Sequence, residues 1–503
     1  MPVDVRPEHR PERSLGEVAT QLHVDPPADD DPTVTGLSLN TQRVEQGDLF
    51  LALPGTRAHG IDFADDAVRH GAVALLTDPE GARRAGHDVP VLTVDHPRDR
   101  MAALSAWFYD HPARAFQTIG ITGTQGKTTT TYLAEAALGR RKAGVVGTIG
   151  TRIARESVGS ALTTPEAPEL QALFAVMREQ RVEACVMEVS SHALVKGRVD
   201  GFRFDTSAFL NLGRDHLDFH LTLEEYFLAK AALFTAERTQ QAVINVDDDH
   251  GRALIDLIGT NLPVTTFSSA GRPADWRAVN VRPNRSGTEL DILTPDGASL
   301  PLTVPLPGVF NVSNALAALA ALTSCGFDPA ELAAGIAESR GVPGRMERVE
   351  RGQEFAAVVD YAHKPDAVTA VLSALRPVTA GRLIVVIGAG GDRDHGKRPM
   401  MGAAAAAIAD LVIVTDDNPR NENAAAIRAD VLGGASPGPG VAIEIGDRRE
   451  AIVHAVSVAK RGDTIVVAGK GHERGQEING VVHPFDDRDV LAAAIDERPG
   501  AAR

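Results

Sequence analysis

The feature that most constrains this chain is a recurring pair: a short apolar run that ends in a polar, glycine-bearing string, followed by a helical pattern. FQTIGITG (116–123), VEACVMEVS (182–190), RLIVVIGA (382–389), DLVIVTDD (410–417) and DTIVVAG (463–469) are such runs. Between them lie stretches of helical periodicity, among them 127–138, 366–375 and 397–410. Strands covered on both faces read as continuous apolar runs, and helices returning between them make parallel neighbours, so the expected class is α/β with parallel sheets. Ligands in such sheets bind beyond the C-terminal strand ends. The chemically suggestive residues fall there.

The pattern divides into three units. Residues 1–113 hold a short helix, strands at 34–53, 72–78 and 89–95, and helices at 61–70 and 98–109. Residues 114–344 start with a strand entering a glycine turn and continue with strands at 206–212 and 241–247 and helices at 224–234 and 314–324. The alternation over 263–307 predicts a small antiparallel patch rather than another βαβ repeat. Residues 345–503 repeat the strand–helix pattern. A length of 503 residues accommodates three units.

Lys plus Arg is 51 against 67 Asp plus Glu, a net charge of −16, which argues against unspecific binding to nucleic acid or anionic lipid. The two cysteines, Cys185 and Cys325, are far apart and form no CxxC pair, so neither a zinc site nor a disulfide scaffold is expected. No apolar stretch is long enough to span a membrane, and the charged, proline-rich start lacks a secretory apolar segment. The expected compartment is the cytoplasm.

GITGTQGKTTTTYLAEAAL (120–138) is the sharpest local signal. Glycines let backbone amides close around phosphate oxygens, and the helix N-terminus adds its positive end. Gly123, Thr124, Gly126, Lys127, Thr128 and Thr129 form the expected cradle, with Lys127 toward the terminal phosphates and the Thr128 hydroxyl toward magnesium. Ile121 stands where the strict pattern has its first glycine. The turn predicts nucleotide binding without choosing among kinase, ATPase, ligase and switch.

Glu188, at a strand end, is a candidate magnesium ligand. His216 is another, although Asp215, Asp218 and His220 crowd around it. Lys230, on an amphipathic stretch, reads by itself as a surface lysine. In the last unit GAGGDRDHGKRP (388–399), TDDNPR (415–420) and AGKGHE (468–473) follow three apolar runs. Their mixture of guanidinium, amide and carboxylate groups suits a zwitterionic ligand, and arginine suits bidentate capture of a carboxylate.

Eleven strings, in order and spacing, resemble the Mur ligases of peptidoglycan synthesis, nearest the members that add the third residue of the stem peptide. They are GTQGKTTT, TTPE (163–166), MEVSSHAL (187–194), HLDFH (216–220), YFLAKAALF (226–234), PGVFNVSNALAA (307–318), PGRME (343–347), DYAHKPD (360–366), GDRDHGKRP, DNPR and GKGHE. The resemblance covers the chain from about Val34. It implies three domains: one for a uridine-nucleotide substrate (1–113), a central ATPase (114–344) and a C-terminal Rossmann-like domain (345–503). The implied enzyme is an ATP-dependent acid–amino-acid ligase. It phosphorylates the free carboxylate of UDP-N-acetylmuramoyl-L-alanyl-D-glutamate and couples the acyl phosphate to meso-2,6-diaminopimelate. The physical logic is independent: a carboxylate is a poor electrophile, and joining two anions requires lysine and magnesium charge.

Carried over by resemblance, Lys127, Glu188, His216 and Lys230 are catalytic. Thr128, Glu188, His216 and Lys230 serve Mg2+, Lys230 as a carbamate derived from CO2. Asn311 and Asn314 are adenine-side contacts, and Arg345 and Asp360 reach ATP across the domain interface. Thr41, Thr163, Thr164, Ser190 and Arg198 hold the UDP-muramoyl dipeptide. Arg393, Asp417, Asn418, Arg420, Gly469 and Glu473 form the diaminopimelate pocket, in which Arg420 faces the distal carboxylate and would repel the ammonium of L-lysine. A monomer acting on small molecules is expected.

The chain departs from the family pattern at Gln125, where asparagine is usual, at Asn40-Thr41-Gln42 in place of aspartate-serine-arginine, and at Lys196 and Lys364, where glutamine and threonine are familiar. Competing readings are an L-lysine-adding ligase, a folylpolyglutamate synthase-like ligase, and a nucleotide-gated interaction protein without ligase activity.

Overall fold

A computed structural model describes residues 6–26, 30–56, 58–86, 89–159, 162–216, 219–284, 287–436 and 438–498. Three main sheets follow one another along the chain. The first has four parallel strands, Gly36–Ser38, Asp48–Leu51, Ala72–Thr77 and Val91–Thr93, in that order. Helices Leu15–Leu22 and Pro97–Phe108 cover it; the former begins at a capping box between Ser14 and Glu17. Ala167, Ala172 and Ala175 of helix Ala167–Glu179 enter this core, so the first unit is seated on the second through small side chains that allow close approach.

The central sheet has eleven strands. Six parallel strands form its middle: Ala143–Gly147, Ala184–Glu188, Gln117–Thr122, Thr206–Phe209, Ala242–Asn245 and Val264–Ser268. The 263–307 region does include three antiparallel strands, Trp276–Asn284, Gly287–Leu293 and Ser299–Val304. They are not a separate patch. Phe267 pairs with Trp276 in parallel, and the hydrogen-bond ladder continues from the central sheet. The expected helix at 314–324 starts earlier, at Val309. Its alanines are buried all round, as expected of a helix sandwiched between a sheet and other helices.

Helix Lys127–Leu138 opens with four threonines, which are poor helix formers. All four are buried, and Thr131 Oγ1 donates to Thr128 O at 2.9 Å, so tertiary contacts override propensity.

The third sheet runs Glu347–Arg348, Ala356–Asp360, Thr464–Ala468, Leu383–Ile387, Leu411–Val414 and Val441–Glu444; all pairs are parallel except the first. The last strand to join, Thr464–Ala468, inserts beside Leu383–Ile387. That insertion makes neighbours of the three strands whose polar strings were singled out. The helix expected over 397–410 ends at Ala406, and a hairpin of Gly475–Ile478 with Val481–Pro484 follows the last of the three strings. Among the described residues no helix is long and apolar enough to cross a membrane.

Candidate active site

The glycine turn leaves the middle of the central sheet. Gly126 has φ +87° and starts the helix, and a Cβ there would lie 2.3 Å from Asn314 Oδ1. Only glycine satisfies both demands. Asn211 clamps the turn, accepting from Gln125 N at 2.9 Å and donating to Gln125 O at 3.1 Å. The chain's substitution at Gln125 therefore leaves the backbone clamp intact. Lys127 Nζ donates to Gly123 O at 2.7 Å and to Thr124 O at 3.3 Å. Asn314 Nδ2 donates to Asn311 Oδ1 at 3.2 Å, and Asn311 Nδ2 to Pro307 O at 2.7 Å, so both buried amides are fixed in place, Asn314 beside Gly126.

Glu188 ends the adjacent strand opposite Ile121 and is 1% exposed. Thr148, after the next strand, fixes its carboxylate with a backbone N–H at 2.8 Å and a hydroxyl at 3.1 Å. The Thr148 hydroxyl also meets Thr163 at 3.1 Å. Thr164 Oγ1 donates to Glu188 O at 2.8 Å and accepts from Ser190 N at 3.2 Å. Arg198 donates to Thr164 O at 3.1 Å and to Glu166 at 3.0 Å. One network thus joins Thr163, Thr164, Ser190 and Arg198 to Glu188. Thr41 lies apart on the short helix Thr41–Arg43, whose Arg43 pairs with Glu169 of the second unit at 2.9 Å.

Lys230 is not a surface lysine: it is 1% exposed, and its Nζ donates to Gly123 O at 3.0 Å and lies 4.5 Å above the Tyr226 ring. Burial, reinforced by the charges of Lys127 and Lys364 against that of Asp215, lowers its pKa well below the usual lysine value. His216 has φ +51°, and its Nε2 lies 3.1 Å from Asp215 Oδ2. Desolvation, with Lys364, His192 and Lys127, outweighs Asp215 and pushes the imidazole down to about 4. Asp215 itself is held at about 2, because Lys364, His216 and Lys127 overcome the effect of burial. His220 Nε2 is engaged by Ser191 Oγ at 2.8 Å, and Asp218 lies outside the described residues.

Among the described residues no three His, Cys, Asp or Glu side chains gather into a metal-sized group. A magnesium ion nevertheless takes most of its ligands from phosphate and water, with one or two protein groups completing the set. A buried carboxylate (Glu188), a neutral imidazole (His216) and a helix-start hydroxyl (Thr128) around the glycine turn fit that role. Lys230 as an amine does not.

The second and third units meet at Arg345. Its guanidinium stacks 4.2 Å over Tyr361, while buried Asp360 accepts from Met346 N and Ala362 N, both at 2.7 Å. Gly344 has φ +64°, and a Cβ there would lie 2.1 Å from His472 N.

The three C-terminal strings converge. Arg420 donates to Glu477 Oε2 at 3.1 Å and to Gly391 O at 2.7 Å. Asn418 donates to Glu473 at 2.9 Å and accepts from Lys470 Nζ at 2.9 Å. Asp417 Oδ1 is buried without a hydrogen-bond partner, and Gly469, with φ +115°, leaves room beside Oδ2. Arg393 is exposed and donates to Asp392 O at 3.2 Å, placing it at the rim.

Sequence reasoning did not single out Thr148, Lys470, Glu477 or Arg448. Lys470 sits between two glycines of a string already marked, a usable signal. Arg448 has none: it is fully buried, pairs with Asp487 at 2.7 Å and donates to Ala468 O at 2.9 Å beneath the pocket.

Comparison with known proteins agrees with this geometry. Residues 33–109 match "Mur ligase family, catalytic domain", residues 121–322 "Mur ligase middle domain", and residues 344–471 "Mur ligase, glutamate ligase domain". The UDP-N-acetylmuramoyl-L-alanyl-D-glutamate--2,6-diaminopimelate ligase of Streptomyces avermitilis is 51% identical, covering 98% of this chain and 99% of its own. That of Streptomyces coelicolor is 52% identical, covering 97% of each chain. A solved structure of a ligase with this name is 35% identical, with a TM-score of 0.67, over 96% of this chain and 99% of that one. With three matched models spanning most of its length and relatives about half identical from end to end, the chain belongs to the Mur ligase family.

Proposed function

We propose that this chain joins meso-2,6-diaminopimelate to UDP-N-acetylmuramoyl-L-alanyl-D-glutamate at the expense of ATP, through an acyl phosphate, in peptidoglycan precursor synthesis. The observation that carries the amino-acid assignment is the anchored guanidinium of Arg420, set beside Asp417, Asn418 and Glu473. A fixed fork suits the distal carboxylate of diaminopimelate, and the surrounding acids suit its ammonium groups. The lysine-adding alternative places an ammonium against Arg420, which disfavours it.

In this reading residues 1–113 hold the uridine nucleotide, 114–344 hold ATP, and 345–503 present the amino acid. The network of Thr163, Thr164, Ser190 and Arg198 orients the dipeptide end of the substrate beside Glu188, with Thr41 on the uridine side. The glycine turn and Lys127 bind the ATP phosphates, and Arg345 and Asp360 complete the nucleotide site from the domain joint. The substrate carboxylate takes the terminal phosphoryl group. The diaminopimelate amine then attacks, and phosphate leaves through a tetrahedral intermediate. Lys127 offsets the charge of the two approaching anions.

When bound, Mg2+ supplies further charge neutralisation at the phosphates; Thr128, Glu188 and His216 would hold it. The depressed pKa of buried Lys230 supports its reaction as a free amine with CO2, giving a carbamate and a proton. That change converts a neutral amine into an anionic oxygen ligand.

The test is phosphate release with ATP, Mg2+ and the UDP-muramoyl dipeptide, with diaminopimelate, L-lysine or no amino acid, and the product confirmed by mass. Release with diaminopimelate alone is expected. Equal rates with lysine would remove the assignment resting on Arg420.

A further inference from the structure

Lys364 occupies a position that its sequence context does not explain. It precedes the helix Pro365–Leu375 of the third unit and makes no side-chain cap there. Instead its ammonium crosses to the second unit and bonds Asp215 Oδ2, the oxygen that also faces His216. Both side chains are largely withdrawn from water, at 19% and 14% exposure, so the pair is not a solvated surface contact.

Asp215 is tied in turn to the glycine turn. Gly213 N donates to Thr124 Oγ1 at 3.0 Å, two residues before Asp215. The charge of Lys364 is felt at Lys127, Lys230 and His216, which surround the same turn. On its other side, Lys397 of the amino-acid pocket string donates to His363 O at 3.1 Å, next to Lys364 in the chain. A cation borne by the third unit therefore stands between the nucleotide turn and the amino-acid pocket.

We propose that Lys364 is a catalytic residue delivered by the C-terminal unit, its ammonium pairing with the terminal phosphate of ATP and with the phosphoryl group during transfer, and that Asp215 is the positioning residue that aims it. The inference rests on the ligase reading above. Phosphoryl transfer is catalysed mainly by positioning and charge, and a cation supplied by a second domain or protein is worth about 10³–10⁵ in rate in the best-known cases. Carrying it on the unit that also binds the amino acid makes activation of the carboxylate depend on that unit's approach, which protects a labile acyl phosphate from water.

The test compares wild type, Lys364→Gln and Lys364→Arg. Calorimetry gives the affinity for the β,γ-methylene analogue of ATP relative to ADP, without amino acid; steady-state kinetics give kcat and the KM for diaminopimelate. In Lys364→Gln the triphosphate preference is expected to fall about tenfold and kcat about 100-fold with KM little changed, and Lys364→Arg to recover most of both. An unchanged triphosphate preference in Lys364→Gln would overturn the proposal and leave Lys364 a structural link. The binding arm needs no amino acid. If wild type makes no tripeptide while Lys364→Gln still loses its triphosphate preference, the amino-acid assignment fails and that of Lys364 stands.

Discussion

Lys127 Nζ and Lys230 Nζ converge on a single acceptor, the carbonyl of Gly123, at 2.7 and 3.0 Å. Two ammonium groups cannot share that space at full charge without cost, and burial lowers the pKa of both. Lys230 is the more deeply buried of the two, at 1% exposure. Its folded-state pKa lies below its unfolded value, so the unfolded chain binds the extra proton between the two, and stability rises with pH through that window. Lys230→Met is expected to flatten that slope in chemical denaturation at several pH values. In the proposed reaction the same neutral amine takes up CO2, so degassed buffer should lower kcat and bicarbonate restore it, with intact mass showing one added CO2. A kcat indifferent to CO2 would refute the carbamate.

Gly126 and Asn314 set a second expectation. An alanine at 126 would carry a Cβ 2.3 Å from Asn314 Oδ1 at φ +87°. The left-handed backbone alone costs about 1–2 kcal/mol, before the overlap. Gly126→Ala should weaken ATP binding by at least about tenfold while the C-terminal pocket keeps its affinity for diaminopimelate. Calorimetry with each ligand separates the two.

Gly344 makes the corresponding test of the domain joint. Its Cβ would lie 2.1 Å from His472 N and 2.3 Å from the Gly471 carbonyl carbon, both backbone atoms that cannot swing aside. Gly344→Ala should displace the string bearing Gly469 and Glu473 from the joint, lowering kcat and raising the KM for diaminopimelate, with ATP binding weakened as well through the neighbouring Arg345. Unchanged kinetics would mean that the joint adapts.

How far the sequence carried depends on the range of each interaction. The glycine turn was legible because its chemistry is contiguous: strand, turn and helix start fall within a dozen residues, and the helix begins at Lys127 as expected. Glu188 could be placed at a strand end, but not the group that fixes it. Thr148 acts on Glu188 only because the strand Ala143–Gly147 lies beside Ala184–Glu188, and strand order is not written in either segment. The antiparallel strands of 263–307 are legible, yet their union with the central sheet rests on a short parallel pairing of Phe267 and Ser268 with Trp276 and Arg277. Lys230 looked like a surface residue on an amphipathic helix because burial by a neighbouring turn leaves no local trace. The pairing of Arg448 with Asp487 leaves no sequence signal for the same reason.

The buried pair of Arg448 and Asp487, both side chains 0% exposed at 2.7 Å, joins helices Arg448–Val458 and Asp487–Asp496. Removing one partner leaves the other charge buried, a loss of about 3–5 kcal/mol, whereas an apolar pair of similar volume is often neutral. Arg448→Met should destabilise the C-terminal unit by that amount in urea unfolding, and Arg448→Met with Asp487→Leu should recover most of it. Arg448 also donates to Ala468 O and Asp416 O, so the double variant should still bind diaminopimelate more weakly.

In the proposed function Arg420 decides the choice of amino acid. It has φ +52°, and its backbone pairs with the hairpin, donating to Glu477 O at 3.0 Å and accepting from Asn479 N at 2.7 Å. The side chain is then held by Glu477 and Gly391 O, so its fork is set before any ligand arrives and little rotamer entropy remains to be lost. A charge-assisted bidentate contact of this kind is worth about 2–3 kcal/mol, so Arg420→Ala should raise the KM for diaminopimelate by about 30- to 150-fold. L-lysine should gain relative to diaminopimelate, because the variant removes a like charge facing its ammonium. Glu477→Gln leaves the arginine in place but loosens its anchor, and a smaller rise of about three- to tenfold is expected, set by the weaker neutral hydrogen bond. If Arg420→Ala raised KM equally for both amino acids, Arg420 would be shaping the pocket rather than reading the distal carboxylate, and specificity would have to come from Asp417, Asn418 and Glu473 alone.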